Sequence, residues 1–163
     1  MTAELNRKIE NLIRLGTIAA VDHAARRVIV KTGGNDTAWL KWITLRAGNT
    51  RTWNPPTVGE QVMILSPSGV LENGLVMPSI FSDAHDAPSA SPSEHVTDYP
   101  DGARIAYDHA SGALTATGIK TATIQASESI TANTPLTHIT GDAHIGGNVK
   151  IDGTLEIDGL VTY

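Results

Sequence analysis

Glycines at a six-residue spacing run through the last part of the chain and constrain its fold more than any other feature. They are Gly141, Gly147, Gly153 and Gly159, and apolar residues stand two and four places after each of them. Glycine permits corner torsion angles that other residues rarely adopt, and residues two apart on a strand face the same side. One such unit cannot bury its apolar side alone, so the repeat predicts strands that stack or intertwine.

The apolar positions of the repeat are the predicted core of an intertwined assembly. Those positions are Ala143, Ile145, Val149, Ile151, Leu155, Ile157 and Val161. His144 and Lys150 are six residues apart and occupy the same position of the repeat, between two apolar positions. Because a charged residue stands there, side chains at this position are predicted to point outward. A period of two also marks residues 122–136, where the apolar side chains all occupy even positions. We therefore predict a β-structural segment over residues 99–163.

Residues 1–15 predict a short amphipathic helix. Its apolar stripe consists of Leu5, Ile9, Leu12 and Ile13 at helical spacing. Thr2 can cap the start of this helix, and Gly16 can stop its end. A helix so short is only marginally stable alone, so the stripe either packs on its own domain or docks on a partner.

The strand pattern of residues 16–82 predicts a small β-barrel, and the composition of residues 83–98 predicts a linker. The predicted strands are Thr17–Val21, Arg27–Thr32, Trp39–Leu45, Gln61–Ser66 and Leu75–Ser82. Asn73-Gly74 before the last of them is a strong hairpin signal. Five strands in this length suit a barrel of the oligonucleotide/oligosaccharide-binding (OB) type, a fold that does not itself imply ligand binding. The linker contains two prolines and three serines and lacks apolar periodicity.

Composition and charge exclude several classes of protein. The chain contains no cysteine, which excludes disulfides and thiolate metal sites. No apolar run approaches the roughly 18 residues of a spanning helix, and the N-terminus lacks the layout of a secretory signal, which predicts assembly in the cytoplasm. Residues 1–82 carry nine Lys/Arg and six Asp/Glu, a balance of +3, whereas residues 83–163 carry three and eleven, a balance of −8. This asymmetry predicts two regions with different partners and disfavours nucleic acid.

Catalytic signatures are missing from the sequence. The six histidines form no His-x-His or His-Glu-x-x-His pattern, and no nucleophile elbow or phosphate-binding loop occurs. Two functional alternatives remain. The repeat resembles that of hexapeptide acyltransferases, although it offers little more than one coil. Trp39, Trp42 and Trp53 could form a base-stacking platform for a single-stranded nucleic acid, although we favour core and subunit contacts for them.

Several segments in order along the chain resemble the baseplate assembly protein V family, the central spike of contractile phage tails and R-type bacteriocins such as R-type pyocins. The matching segments are Leu12-Ile-Arg-Leu-Gly-Thr-Ile18, Trp39-Leu-Lys-Trp42, Trp53-Asn-Pro-Pro-Thr-Val-Gly-Glu-Gln-Val62, Leu65-Ser-Pro-Ser-Gly69, Gly74-Leu-Val-Met-Pro78 and Tyr99-Pro-Asp-Gly-Ala-Arg-Ile-Ala-Tyr-Asp108. The resemblance implies an all-β homotrimer. In each copy a short helix and an OB barrel precede an intertwined trimeric β-helix, or β-prism, that tapers to a membrane-piercing tip.

The resemblance also implies a role and partners. The protein would be a non-enzymatic structural spike in the tail baseplate of a virion or bacteriocin particle, and sheath contraction would drive it through the outer membrane of the target cell. Docking on the tail hub is assigned to Leu5, Ile9, Leu12, Trp39, Trp42 and Trp53. Family members commonly carry a His-x-His apex that holds iron. This chain has no such motif up to Tyr163, so no metal or cofactor is predicted within it.

Overall fold

A computed structural model describes residues 2–159, so the predicted core residue Val161 lies outside the described residues. The chain divides into two compact units, one up to Lys120 and one from Thr121 onward. This division differs from the predicted boundary after residue 98. The difference arises because a three-stranded sheet that follows the barrel belongs to the first unit.

The first unit contains one helix and two β-sheets. Helix α1 spans Ala3–Leu12. The first sheet contains β1 (Ile13–Asp22), β2 (Arg27–Thr32), β3 (Asn35–Asp36), β4 (Leu40–Trp42), β5 (Gln61–Leu65) and β6 (Leu75–Ile80), and the second contains β7 (Glu94–Asp98), β8 (Arg104–Asp108) and β9 (Ala113–Thr117). Two 3₁₀ turns, Pro67–Gly69 and Leu71–Asn73, connect β5 to β6.

The first sheet closes into a five-stranded barrel of the OB-like kind that the sequence predicts. The strands follow the order β1-β5-β6-β4-β2, and β2 pairs with β1 to complete the ring. All of these pairs are antiparallel except β4 with β6, which is parallel. Every second residue points inward, and the core residues, each at most 1 % exposed, are Ile18, Val28, Val30, Leu40, Val62, Ile64 and Val76. Small aliphatic side chains therefore fill the barrel.

The N-terminal boundary differs from the prediction. Helix α1 ends at Leu12, and Ile13 is already the first residue of β1, opposite Leu65 of β5. Gly16 was predicted to stop the helix but lies inside β1, where an added Cβ would overlap Val30 Cγ1 and approach Lys31 O to 2.7 Å. Strand pairing thus overrides a helical periodicity that continues into residue 13.

Two other predicted elements of the barrel are shorter or different. The predicted strand Trp39–Leu45 corresponds to β4, which covers only Leu40–Trp42. It is shorter because the chain then leaves the sheet in a loop that runs to Trp53. Asn73-Gly74 does not form a hairpin turn. Gly74 has φ −59° and donates its amide to Leu71 O at 3.0 Å, so it ends a 3₁₀ turn instead.

The second sheet shortens the predicted linker, because Glu94–Asp98 forms β7 and pairs antiparallel with β8. The Arg104 guanidinium connects these strands, with Nη1 at 3.0 Å from Asp98 Oδ1 and Nη2 at 3.5 Å from Glu94 Oε2. Strand β9 completes the sheet as an exposed edge. The sequence predicts a turn at Tyr99–Gly102 and a strand over Ala103–Asp108, and the structure has this turn followed by β8, the middle strand of the meander.

The second unit contains no helix or strand among residues 121–159, the part of it that the structure describes. Its apolar repeat side chains are largely exposed in one copy of the chain; Ile145 is 60 % and Ile151 is 48 % exposed. The trimeric β-helix is not seen in a single copy and stays a prediction. No helix among residues 2–159 is both long and apolar enough to cross a membrane.

Candidate functional site

Helix α1 presents an apolar stripe to solvent. Leu5, Ile9 and Leu12 are 47 %, 49 % and 43 % exposed. Thr2 caps the helix by accepting a hydrogen bond from the amide of Leu5. Glu4 pairs with Arg7 at 2.9 Å, and this contact lowers the pKa of the Glu4 carboxyl. Three of the four residues of the predicted stripe therefore lie on a capped helix, and about half of each side chain is left uncovered by its own domain. The fourth, Ile13, belongs to β1.

The other side of α1 is fastened to the barrel by polar contacts. Asn11 is buried, donates Nδ2 to Gly69 O at 3.4 Å and accepts from Arg14 Nη1 at 3.0 Å. Arg14 Nε donates in turn to Thr32 Oγ1 at 3.2 Å. Gly69 has φ +68°, and an added Cβ there would overlap the carbonyl oxygen of Lys8. Sequence reasoning missed this attachment, because it joins residues 58 positions apart.

Two of the three predicted docking tryptophans come together. The ring centroids of Trp42 and Trp53 are 5.7 Å apart, and the rings are tilted by 58°. Trp42 packs against the barrel core, whereas Trp53 is 60 % exposed. Trp39 is 44 % exposed and does not line the same cleft; its carbonyl accepts a hydrogen bond from Arg27 at 3.2 Å.

A cleft of about 810 Å³ opens beside the paired tryptophans. Its lining comes from the β1–β2 turn, β4 and the loop that follows β4. The lining residues are Ala25, Arg26, Arg27, Lys41, Trp42, Thr44, Arg46, Ala47, Arg51, Thr52 and Trp53. Five of them are cations and none is an acid. The modest positive balance of residues 1–82 is only a weak sequence signal for this cleft.

The described residues offer little for catalysis or metal binding. Among residues 2–159 no group of three or more His, Asp or Glu side chains lies close enough together to hold a metal ion. The histidines of the printed sequence contain no His-x-His pair, so the residues present do not fit the iron site that the family resemblance implies. The Ser93 hydroxyl, the Ser111 hydroxyl and the Ala110 amide lower the pKa of Asp108 to about 2. Asp108 therefore stays ionised in its surface turn and is a poor proton donor.

The repeat side chains that were predicted to form a core belong to the second compact unit, whereas the residues of the barrel cleft belong to the first. Val149, Leu155 and Ile157 are more than half exposed in one copy of the chain. Lys150 and Asp152 flank Ile151 and pair with each other at 2.8 Å on the surface. Apolar and charged positions of the repeat are alike exposed in one copy, so the inward and outward directions and the contacts between copies stay predictions.

Comparisons with known proteins define the class of the protein. Residues 14–81 match the family described as type VI secretion system/phage-baseplate injector OB domain, and residues 118–163 match the phage spike trimer family. The spike protein of Escherichia phage P2 is 47 % identical over 116 residues, which cover 71 % of this chain and 55 % of that protein. The chain thus spans about half the length of this curated relative.

An injector OB barrel followed by a spike trimer segment defines a structural component of a phage baseplate. The chain belongs to the phage baseplate spike family, as the resemblance of its sequence predicts. Membership implies a location in the virion tail.

Proposed function

We propose that the protein is the non-enzymatic central spike of a contractile tail, which pierces the outer membrane of the target cell when the sheath contracts. The observation that carries this proposal is the order of its parts, an OB barrel of the injector type followed by a segment of the spike trimer type. The barrel half seats the trimer on the tail hub, and the repeat half transmits the axial load. The protein needs no cofactor for this role and is assembled in the host cytoplasm.

The repeat suits a puncturing device once three copies wind around a common axis. Ile145, Val149 and Leu155 are more than half exposed in one copy and become buried between the three copies. Burial contributes about 25 cal/mol for each Å² of apolar surface, so a continuous aliphatic core makes the shaft rigid without many aromatic residues. An interlocked trimer also pairs the strand edges that a single copy exposes.

Seating on the hub is assigned to the exposed stripe of α1 together with the tryptophans. The polar attachment through Asn11 fixes α1 on the barrel and leaves Leu5 and Ile9 half exposed on one face, and a contiguous exposed apolar surface is typical of interaction sites. Trp53 adds a large exposed aromatic surface, and aromatic side chains are enriched at the centres of interfaces. These features support a docking role for the N-terminal half.

The double variant Leu5→Gln/Ile9→Gln tests the docking role. We expect a folded trimer whose incorporation into particles falls by at least about tenfold, because each half-exposed side chain contributes roughly 1 kcal/mol when fully buried. The measurement is quantitative immunoblotting of purified particles, with the melting temperature of the free protein recorded alongside. Deleting residues 1–15 is less suitable, because Ile13–Leu15 belong to β1.

Glu10→Gln is the matched control for this experiment, because it introduces the same side chain at an exposed position of α1 outside the stripe. Its incorporation should equal that of the parent protein. Normal incorporation of the double variant would remove the stripe from the docking surface. A folded parent trimer that never enters particles would contradict the spike function itself.

Single replacement of each histidine by glutamine tests the non-enzymatic role. The residues are His23, His85, His95, His109, His138 and His144. Surface substitutions usually change stability by less than about 0.5 kcal/mol, so all six variants should keep the killing or infection activity of the particle. If one variant formed intact trimers but lost activity together with hydrolysis of the cell envelope, the protein would be an enzyme.

A further inference from the structure

Five cations surround the cleft beside the paired tryptophans, which we call the basic cleft. They are Arg26, Arg27, Lys41, Arg46 and Arg51. None of the five takes part in an ion pair within the part of the chain that the structure describes, residues 2–159. No carboxylate lines the basic cleft either. Its positive charge is therefore left without an internal counter-charge.

The placement of two of these cations costs stability. Arg27 of β2 and Lys41 of β4 lie directly opposite each other in an antiparallel pair. Like charges at such positions repel and destabilise the strand pair, whereas a charged residue opposite an uncharged one would not. A repulsive pair in the lining of a cleft without acids favours a negatively charged ligand at this place.

The loop that carries Arg46 and Arg51 is held in one shape by its own hydrogen bonds. The hydroxyl oxygens of Thr44 and Thr52 lie 2.9 Å apart. The amide of Thr52 donates to Arg46 O at 3.0 Å, and the amide of Arg46 donates to Thr52 Oγ1 at 3.1 Å. Two guanidinium groups therefore project from a preorganised hairpin, which reduces the entropy that they lose when a ligand binds.

The tryptophans decide which kind of anion fits. Trp42 and Trp53 contact each other at a tilt of 58°, so they form one apolar corner rather than two separate platforms for successive bases. Guanidinium groups bind carboxylates with paired hydrogen bonds. A short peptide with carboxylates around an apolar side chain satisfies both the cations and the corner.

We propose that the basic cleft binds an acidic peptide segment of the baseplate protein on which the spike is seated. This inference rests on the proposed spike function and adds the chemistry of the partner. The contact is electrostatic and lies on β2, β4 and the 44–53 loop, whereas α1 packs against β1, β5 and the first 3₁₀ turn. The seat of the spike thus combines an apolar and a charged contact on different elements.

A cross-linking experiment on assembled particles identifies the occupant. The photoreactive residue benzoylphenylalanine replaces Ala47, which lines the cleft, and the cross-linked peptide is sequenced by mass spectrometry. We expect a segment of a baseplate protein that carries a net negative charge. A cross-link to a second copy of the spike, to nucleic acid or to a segment without acidic residues would overturn the inference. So would the absence of a cross-link in particles that contain the substituted spike.

A second experiment compares the incorporation of charge variants into particles. Arg46→Gln/Arg51→Gln should reduce incorporation roughly tenfold, and Arg46→Lys/Arg51→Lys should recover part of it, because the charge is retained but the paired hydrogen bonds of the guanidinium groups are lost. Lys31→Gln/Lys120→Gln removes two charges from exposed positions outside the cleft and should incorporate normally. Equal incorporation of the two glutamine variants would overturn the inference and leave the spike function intact. Complete exclusion of the parent protein from particles would instead overturn the spike function.

Discussion

Ile151→Asp is expected to abolish the trimer, because the substitution acts three times on one shared core. Ile151 occupies an apolar slot of the six-residue register, within the segment that matches the phage spike trimer family. Winding three copies around one axis brings the three new carboxyl groups within a few ångströms of each other. Burial of one unpaired carboxylate costs several kcal/mol, and three neighbouring carboxylates cannot all ionise.

The outcome depends on pH in a defined direction. Burial and like charges raise the pKa of the introduced carboxyl group in the trimer above the ordinary value of about 3.9 for an aspartate. A raised pKa in the assembled state means that stability is present below the pKa of the separated chain and is lost as the pH rises through the higher value. The Ile151→Asp variant should therefore regain trimers in acid and dissociate near neutral pH.

Light scattering coupled to size exclusion, together with thermal melting, measures both effects. Asp152→Asn is the matched control at the neighbouring position, where the side chain is exposed and pairs with Lys150 on the surface. Such a pair contributes little, so the control should remain trimeric with a nearly unchanged melting temperature. A trimeric Ile151→Asp that melts with the parent at neutral pH would show that the strand does not face the axis.

The barrel could be predicted from the sequence because its signal is local and repeated. Short apolar runs, Val28–Val30 and Val62–Leu65, mark two of the buried strands, and the structure places Val28, Val30, Val62 and Ile64 in the core. The predicted turns at positions 22–25 and 33–36 indicated where β2 begins and ends, although Asn35–Asp36 of the second turn forms β3 and pairs with β2. The resemblance of several segments then identified the family, which the comparisons confirm.

Element ends and the docking geometry could not be predicted, because they depend on contacts between distant residues. Ile13 continues the helical periodicity but pairs with Leu65 of β5, which no local pattern contains. The basic cleft gathers cations from the β1–β2 turn, β4 and the loop after β4, and only barrel closure brings these together. Asn11 looked like an ordinary polar helix residue, yet it is buried and bound to Gly69.

The junction of α1 with the barrel leads to the second large effect, which is expected for Gly69→Ala. Gly69 has φ +68°, a region that costs a residue with a Cβ about 1–2 kcal/mol. The new Cβ would also lie 2.6 Å from Lys8 Cα, and this neighbour is helix backbone rather than a flexible side chain. Overlap of this kind typically costs a further 1–3 kcal/mol or so, which means that the helix must move away from the first 3₁₀ turn.

Gly112→Ala separates the backbone strain from the steric overlap with Lys8 as causes of the lost stability. Gly112 has nearly the same torsion angle, φ +70°, but nothing lies within 4 Å of the position of its added Cβ. Gly112→Ala should therefore lower stability only by the backbone strain, whereas Gly69→Ala should lose roughly twice as much and also release α1. Trypsin reports the release, since cleavage after Arg7 and Lys8 of α1 should accelerate in Gly69→Ala alone. Equal melting temperatures and equal cleavage rates in the two variants would mean that α1 does not rest on Gly69. Because the apolar stripe can dock only from a fixed helix, we expect Gly69→Ala to lower incorporation into particles even though every residue of the stripe is unchanged.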